Sequence, residues 1–345
     1  MFTLKQNTEF DIIGLGEVML RLSAPDKEKI SQSETFEKGA AGTELNVASG
    51  AAMLGARSAI ITKLPENKMG HFIRNKIRYG DVSDDYIVYD NSPEKRLGIY
   101  YYESGAYPRL PVVSYDRANS SFTTFTKDEL PADIYSQANV FHTSGISLGL
   151  NPTVRENIIE MMESFYKNGA LISFDVNYRA ALWGEDEARE TIERILPLIS
   201  ILFISEETLR RMFGMTGTLA EIHKAFSERY PNIEIIASTM RNVKSPQKHD
   251  FSSLVYDCRE KVHFSEEPYY DIDVVDRIGS GDAYVAGALY GLLQHRTIVA
   301  MAKYGDAMAA IKNTVMGDMT ETDLSDVERI ITAHDSKGPK SEMQR

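Results

Sequence analysis

Apolar runs of strand length alternate with amphipathic helical stretches along most of this chain, and that alternation limits its fold more than any other feature. Ala59 to Lys63, Val140 to Thr143, Leu171 to Asp175, Ile201 to Ile204 and Ile233 to Ala237 read as strands. Thr153 to Asn168 and Glu185 to Leu196 carry apolar residues at helical spacing between them. Such alternation predicts an α/β fold: a doubly wound, mostly parallel sheet flanked by helices, with ligands at the C-terminal ends of its strands. Two stretches break the pattern, Met19 to Glu37 and Tyr86 to Thr124. The second is rich in Tyr and β-formers, and both read as extra strands. Asp335 to Arg345 reads as a polar, frayed tail.

A chain of 345 residues with 43% hydrophobic content can bury a large core, as one big α/β domain or a domain with a small appendage. The formal charge of -12 argues against nucleic acid, whose phosphates want a basic face. A single cysteine, Cys258, excludes an intrachain disulfide framework and suits a reducing compartment. No apolar run approaches membrane-spanning length, and the N-terminus lacks a signal-peptide core, so a cytoplasmic protein is expected. Gly14 and Gly16 invite a dinucleotide-binding reading, yet the third glycine and the later acid of that fingerprint are missing.

The chemistry concentrates in Asp276-Arg277-Ile278-Gly279-Ser280-Gly281-Asp282. Upstream, Ile272 to Val275 reads as a short strand; downstream, Ala283 to Gln294 reads as a helix. Gly279 and Gly281 let successive N–H groups turn into one concavity at a positive helix end, around Ser280, where a phosphate can be held. Asp282 opens the helix beside that anion hole. A carboxylate there can take the proton from a hydroxyl attacking the terminal phosphorus of ATP. Taken alone, the same residues are also a capped helix and a tight turn.

This element, with Ala286-Gly287 after it, resembles the C-terminal signature of the PfkB (ribokinase-like) family of carbohydrate kinases. Near the other end, Gly39-Ala40-Ala41-Gly42-Thr43-Glu44-Leu45-Asn46-Val47-Ala48 is similar to that family's sugar-binding run. Gly42 would let backbone approach a sugar, and Asn46 would offer donor and acceptor to vicinal hydroxyls. The resemblance implies one kinase domain over residues 1–334, with Phe10 to Glu17 as its first core strand. It also implies a small β-sheet lid, inserted from about 19–37 and 86–124, that closes on substrate and often forms a subunit contact. A homo-oligomer through the lid is therefore expected.

Within the family, the lid run Tyr100-Tyr101-Tyr102 with Tyr115-Asp116-Arg117 resembles the branch that phosphorylates 2-keto-3-deoxygluconate, a sugar acid. Arg117 would engage the carboxylate with its planar fork. Tyr101 is expected to face the sugar together with Tyr115, because alternation sends Tyr100 and Tyr102 to the other face. Asp175-Val176-Asn177-Tyr178-Arg179 looks like the motif whose arginine reaches substrate and phosphates, with Asn177 holding it or a metal-bound water. Asp318 resembles a further substrate contact. Ser238 and Thr239 are expected at the nucleotide. Mg²⁺ is implied as well, although Ser205-Glu206-Glu207-Thr208 departs from the motif that organises it, leaving Glu206 or Glu207 as substitutes. A kinase of a neutral sugar and a catalytically weak sugar-binding regulator stay open as alternatives.

Overall fold

A computed structural model describes residues 4–336. Its main sheet is parallel through Ile235–Ser245, Ile201–Phe203, Leu171–Asp175, Ala138–Ser144, Phe10–Leu15, Ser58–Pro65 and Val82–Ser83, in that spatial order. Lys248–Asp257 and Val262–Ser265 extend one end antiparallel. The central strands carry apolar residues on both faces because helices cover both. Ile13, Phe141, Ile172, Phe174 and Leu202 pack with Ile158, Phe165, Ile192 and Phe226 on one side. Ile12, Val140, Ile201 and Phe203 pack with Val47, Leu289 and Met308 on the other. Adjacent residues thus enter separate cores, as the two-residue side-chain period of a strand demands.

Local signals set the helix starts. Asn151 accepts from the Val154 N–H at 2.9 Å ahead of Pro152, which fills the first helical position of Pro152–Lys167 without leaving an unpaired donor. The strand Phe10–Leu15 leads into the lid strand Met19–Ser23 and not into a helix, so Gly14 and Gly16 do not form a dinucleotide turn. Gly16 instead makes room for Glu44: a Cβ there would lie 2.0 Å from its carboxylate.

The second sheet has the order Glu37–Ala41, Met19–Ser23, Ile99–Glu103, Val112–Asp116. It is smaller than expected on one side and larger on the other. Ile87–Asp90 pairs in parallel with Ser58–Pro65 and belongs to the main fold, whereas Glu37–Ala41 runs past the expected end of the first insert. The helix Leu324–Ser336 includes Asp335, so the expected frayed tail is helical at its start; the rest of it lies outside the described residues.

Candidate active site

One cavity of about 870 Å³ opens where the parallel strands end and the small sheet covers them. The helix Ser280–His295 starts on its floor. Gly279 holds φ 81° at the cap, and a Cβ there would stand 2.2 Å from the Asp318 carbonyl, so the turn requires glycine. A Cβ on Gly281 would meet nothing within 4 Å, because that face looks into the cavity. The Gly281 and Asp282 N–H groups make no hydrogen bond among the described residues, while Ser280 Oγ is held by Asn313 Nδ2 at 2.9 Å. These are open donors at the positive end of a helix.

Asp282 is buried beside them, and its Oδ2 accepts from Asn46 Nδ2 at 2.7 Å. Burial pushes its carboxyl up to about 7; the Asn46 amide opposes the shift, and the carboxylates of Asp175, Asp318 and Glu44 add to it. Asn46 stands on the helix Thr43–Met53, and its Oδ1 is buried without a partner. Gly42, just before that helix, brings backbone to the cavity wall; a Cβ there would lie 2.7 Å from the Glu17 carbonyl. Asp175 is likewise raised to about 7 by burial, with the Arg179 charge pulling the other way.

The lid contributes a buried ionic network that the sequence did not announce. Arg21 donates to Asp318 Oδ1 at 2.5 Å and to Asp276 Oδ2 at 2.6 Å, and Tyr100 donates its hydroxyl to the same Asp318 oxygen at 2.6 Å. Tyr100 and not Tyr101 therefore faces the cavity. Alternation holds on the strand Ile99–Glu103, but its phase is opposite to the expected one, and Tyr101 packs edge-on against Phe36 on the far side. Tyr115 lines the cavity, tilted against the Tyr100 ring.

Arg117 also lines the cavity, but Glu17 already engages its Nε, at 2.8 Å, and its Nη2. Only Nη1 is left without a partner among the described residues. Arg179, Arg241 and Arg277 line the cavity as well and form no ion pair among the described residues. Arg241 and Arg277 lie close together: burial and then the Arg277 charge hold the Arg241 guanidinium below its ordinary value. Neither was picked out as a site residue from sequence, because nothing local to either position reveals the other.

At the nucleotide end two expectations need correction. Ser238 is buried, with its hydroxyl between His223 Nε2 at 2.8 Å and the Ile204 carbonyl at 2.6 Å; Thr239, next along the strand, takes the cavity-facing place. Glu206 turns to Arg210 at 2.5 Å, away from the cavity, whereas Glu207 lines it and pairs with Arg211 at 2.8 Å. Asn177 lines the cavity at φ 33°, its N–H held by Asp175 Oδ1 at 3.1 Å. Among the described residues no group of three His, Cys, Asp or Glu side chains is placed to hold a metal.

Residues 10–323 match the model of the pfkB family of carbohydrate kinases. This chain belongs to the PfkB family. As a PfkB carbohydrate kinase it is a phosphotransferase, with a ribokinase-like α/β fold. It is 33% identical over 326 residues to a 2-dehydro-3-deoxygalactonokinase of Haloferax volcanii, covering 94% of this chain and 98% of that one. The crystal structure of 2-dehydro-3-deoxygluconokinase from Thermotoga maritima superposes with TM-score 0.88 at 29% identity, over 94% of this kinase and 99% of that chain. A putative ribokinase II from E. coli, in complex with ATP and Mg²⁺, shares the fold at TM-score 0.79 and 18% identity, over 94% of this chain and all of that one.

Proposed function

We propose that this PfkB kinase transfers the terminal phosphoryl group of ATP to a hydroxyl of a 2-keto-3-deoxy sugar acid, giving 2-keto-3-deoxy-6-phosphogluconate from 2-keto-3-deoxygluconate. One observation carries the reading: Asp282, bound to Asn46 at 2.7 Å, sits beside open backbone donors in a cavity whose free cations are arginines. Asn46, Gly42, Tyr100, Tyr115 and Asp318 hold the sugar. Asp282 takes the proton of the attacking hydroxyl as that oxygen bonds to phosphorus and the bond to the nucleotide breaks. The open Gly281 and Asp282 N–H groups receive the charge of the transferred group, and Arg179 balances it between donor and acceptor. Thr239 and Asn177 stand toward the nucleotide.

Carboxylate recognition falls mainly to Arg179. Arg117 presents only Nη1, and Glu17 offsets its charge. The residues fit Mg²⁺ held chiefly by phosphates and water, with the Glu207 carboxylate lining the cavity and Glu206 turned away. When bound, the ion would screen the phosphate charge. The names of the relatives support a deoxy sugar acid but divide over its epimer.

ADP release with ATP and Mg²⁺ is the test, comparing 2-keto-3-deoxygluconate and 2-keto-3-deoxygalactonate with fructose and ribose. Preference for an acid, lost in Asp282→Asn, is the expected result. Turnover only on a neutral sugar sinks the carboxylate assignment, and binding without turnover leaves a sugar-binding regulator. A cytoplasmic enzyme, assembled as a homo-oligomer through the exposed lid residues Leu110 and Val112, completes the proposal; a monomeric mass by light scattering rules out that assembly.

A further inference from the structure

Lys312 is fully buried, an unusual place for a side chain whose charge is costly to remove from water. It lies at the last turn of the helix Ile298–Asn313. Its ammonium donates to the Asp276 carbonyl at 3.0 Å and the Val315 carbonyl at 3.1 Å. Those carbonyls belong to different turns. The first turn runs from Asp276 to the base Asp282; the second runs from Val315 to Asp318, which meets Tyr100. The neighbouring Asn313 holds the first turn too, accepting from the Val275 N–H at 2.8 Å and donating to Ser280 Oγ at 2.9 Å.

Two carbonyls aimed at one point repel each other unless a hydrogen-bond donor lies between them, and a positively charged donor offsets the repulsion most. Charge balance gives the same answer. Asp276 and Asp318 share Arg21, so one carboxylate of that pair would be uncompensated without a second cation. Burial lowers the Lys312 ammonium from its ordinary value, while Asp276, Asp318 and Asp282 favour its charge and Arg21 opposes it.

We infer that Lys312 is a positioning residue, a built-in monovalent cation that locks the anion-hole turn against the Asp318 turn, so that phosphoryl transfer needs no free potassium or sodium ion. The inference rests on Asp282 as base, and its tests separate the two. Wild-type enzyme assayed with tetramethylammonium as the sole monovalent cation should match its rate in potassium; stimulation by potassium of about tenfold or more overturns the inference.

Lys312→Ala should lower kcat by about thirtyfold or more with KM for ATP changed by less than about threefold, and ammonium or potassium should restore part of the rate. The acid limb of its pH–rate profile should also move to higher pH. Asp282 faces Asn46, Asp175, Asp318 and Glu44, and loses a cation from that set. An unchanged kcat and acid limb, with Asp282→Asn inactive, overturns the lysine's role alone. An active Asp282→Asn sinks the base and its pH readout, leaving cation rescue to decide. Should Lys312→Ala fail to fold, Lys312→Gln keeps a donor without the charge; a wild-type rate and acid limb in that variant overturn the inference as well.

Discussion

Asp282 owes its proton affinity to its burial among carboxylates, and that same burial makes the residue costly to the fold. Its carboxyl is raised to about 7 in the native state against about 3.9 in an unfolded chain. Between those values the unfolded chain is ionised while the folded protein keeps its proton, so stability falls as pH rises toward 7 and stays lower above it. The base form is the ionised one, so kcat/KM should climb through an acid limb near pH 7. Asp282→Asn keeps the acceptor for Asn46 but cannot ionise. It should lose activity by at least about a thousandfold. It should also be more stable than wild type at pH 8 by about 1–3 kcal/mol, with the gap closing at pH 4, as thermal unfolding at the two values will show. The lid tyrosines offer a second comparison. Tyr100→Phe removes a donor to buried Asp318 and should raise KM for the sugar about tenfold, whereas Tyr101→Phe, on the opposite face, should leave it within about twofold. Equal effects in steady-state kinetics would show that the hydroxyl at Asp318 does not reach substrate.

Strands and helices were legible because each answers to a local rule. Leu171–Asp175 ends where its apolar run ends, and Glu185–Ile195 follows its helical spacing. The Gly279 turn was legible for a similar reason, since a positive φ and a close approach to Asp318 leave a short menu of residues. The face of Tyr101 was not. A period of two fixes which tyrosines share a face but not which face is inward, and only the pairing of Ile99–Glu103 with Met19–Ser23 and Val112–Asp116 sets that. Nor was the Arg21 network legible, because Arg21 and Tyr100 come from the first third of the chain and Asp276 and Asp318 from its C-terminal part. That network ties a lid strand to both turns of the active site. Arg21→Met would leave Asp276 and Asp318 facing each other with one less cation. The loss should be about 3–5 kcal/mol in urea unfolding at pH 7 and smaller at pH 5, where protonating Asp318, already raised by burial, relieves the repulsion. A loss independent of pH would trace the defect to packing against Tyr102, over whose ring the Arg21 guanidinium lies at 4.5 Å.

Under the proposed function, a chain of net charge -12 would have to admit two anionic substrates to the cavity. At long range its field repels them, and near the opening the cavity's arginines reverse the sign. Repulsion between remote exposed charges is largely screened at physiological salt, while partly buried charges in a cleft of low-dielectric walls are screened much less. The local cations should therefore govern binding. They are divided along the cavity. Arg179 follows the strand that carries Asp175, whereas Arg277 lies on the anion-hole turn and Arg241, on the strand Ile235–Ser245, lies close to it. The Arg277 charge, after burial, depresses the Arg241 guanidinium, and a polyanion would relieve that repulsion, so under the proposed function this pair would serve the phosphates. Arg277→Met should raise KM for ATP about tenfold, near 1.4 kcal/mol, and leave KM for the sugar acid within about twofold. Arg179→Met should instead raise KM for the acid more than for a neutral sugar, because it removes the unpaired cation nearest Asp175. If the two variants exchange these signatures in initial-rate measurements, the carboxylate is read at the anion-hole turn and the phosphates nearer Arg179, and the orientation of both substrates in the cavity is reversed.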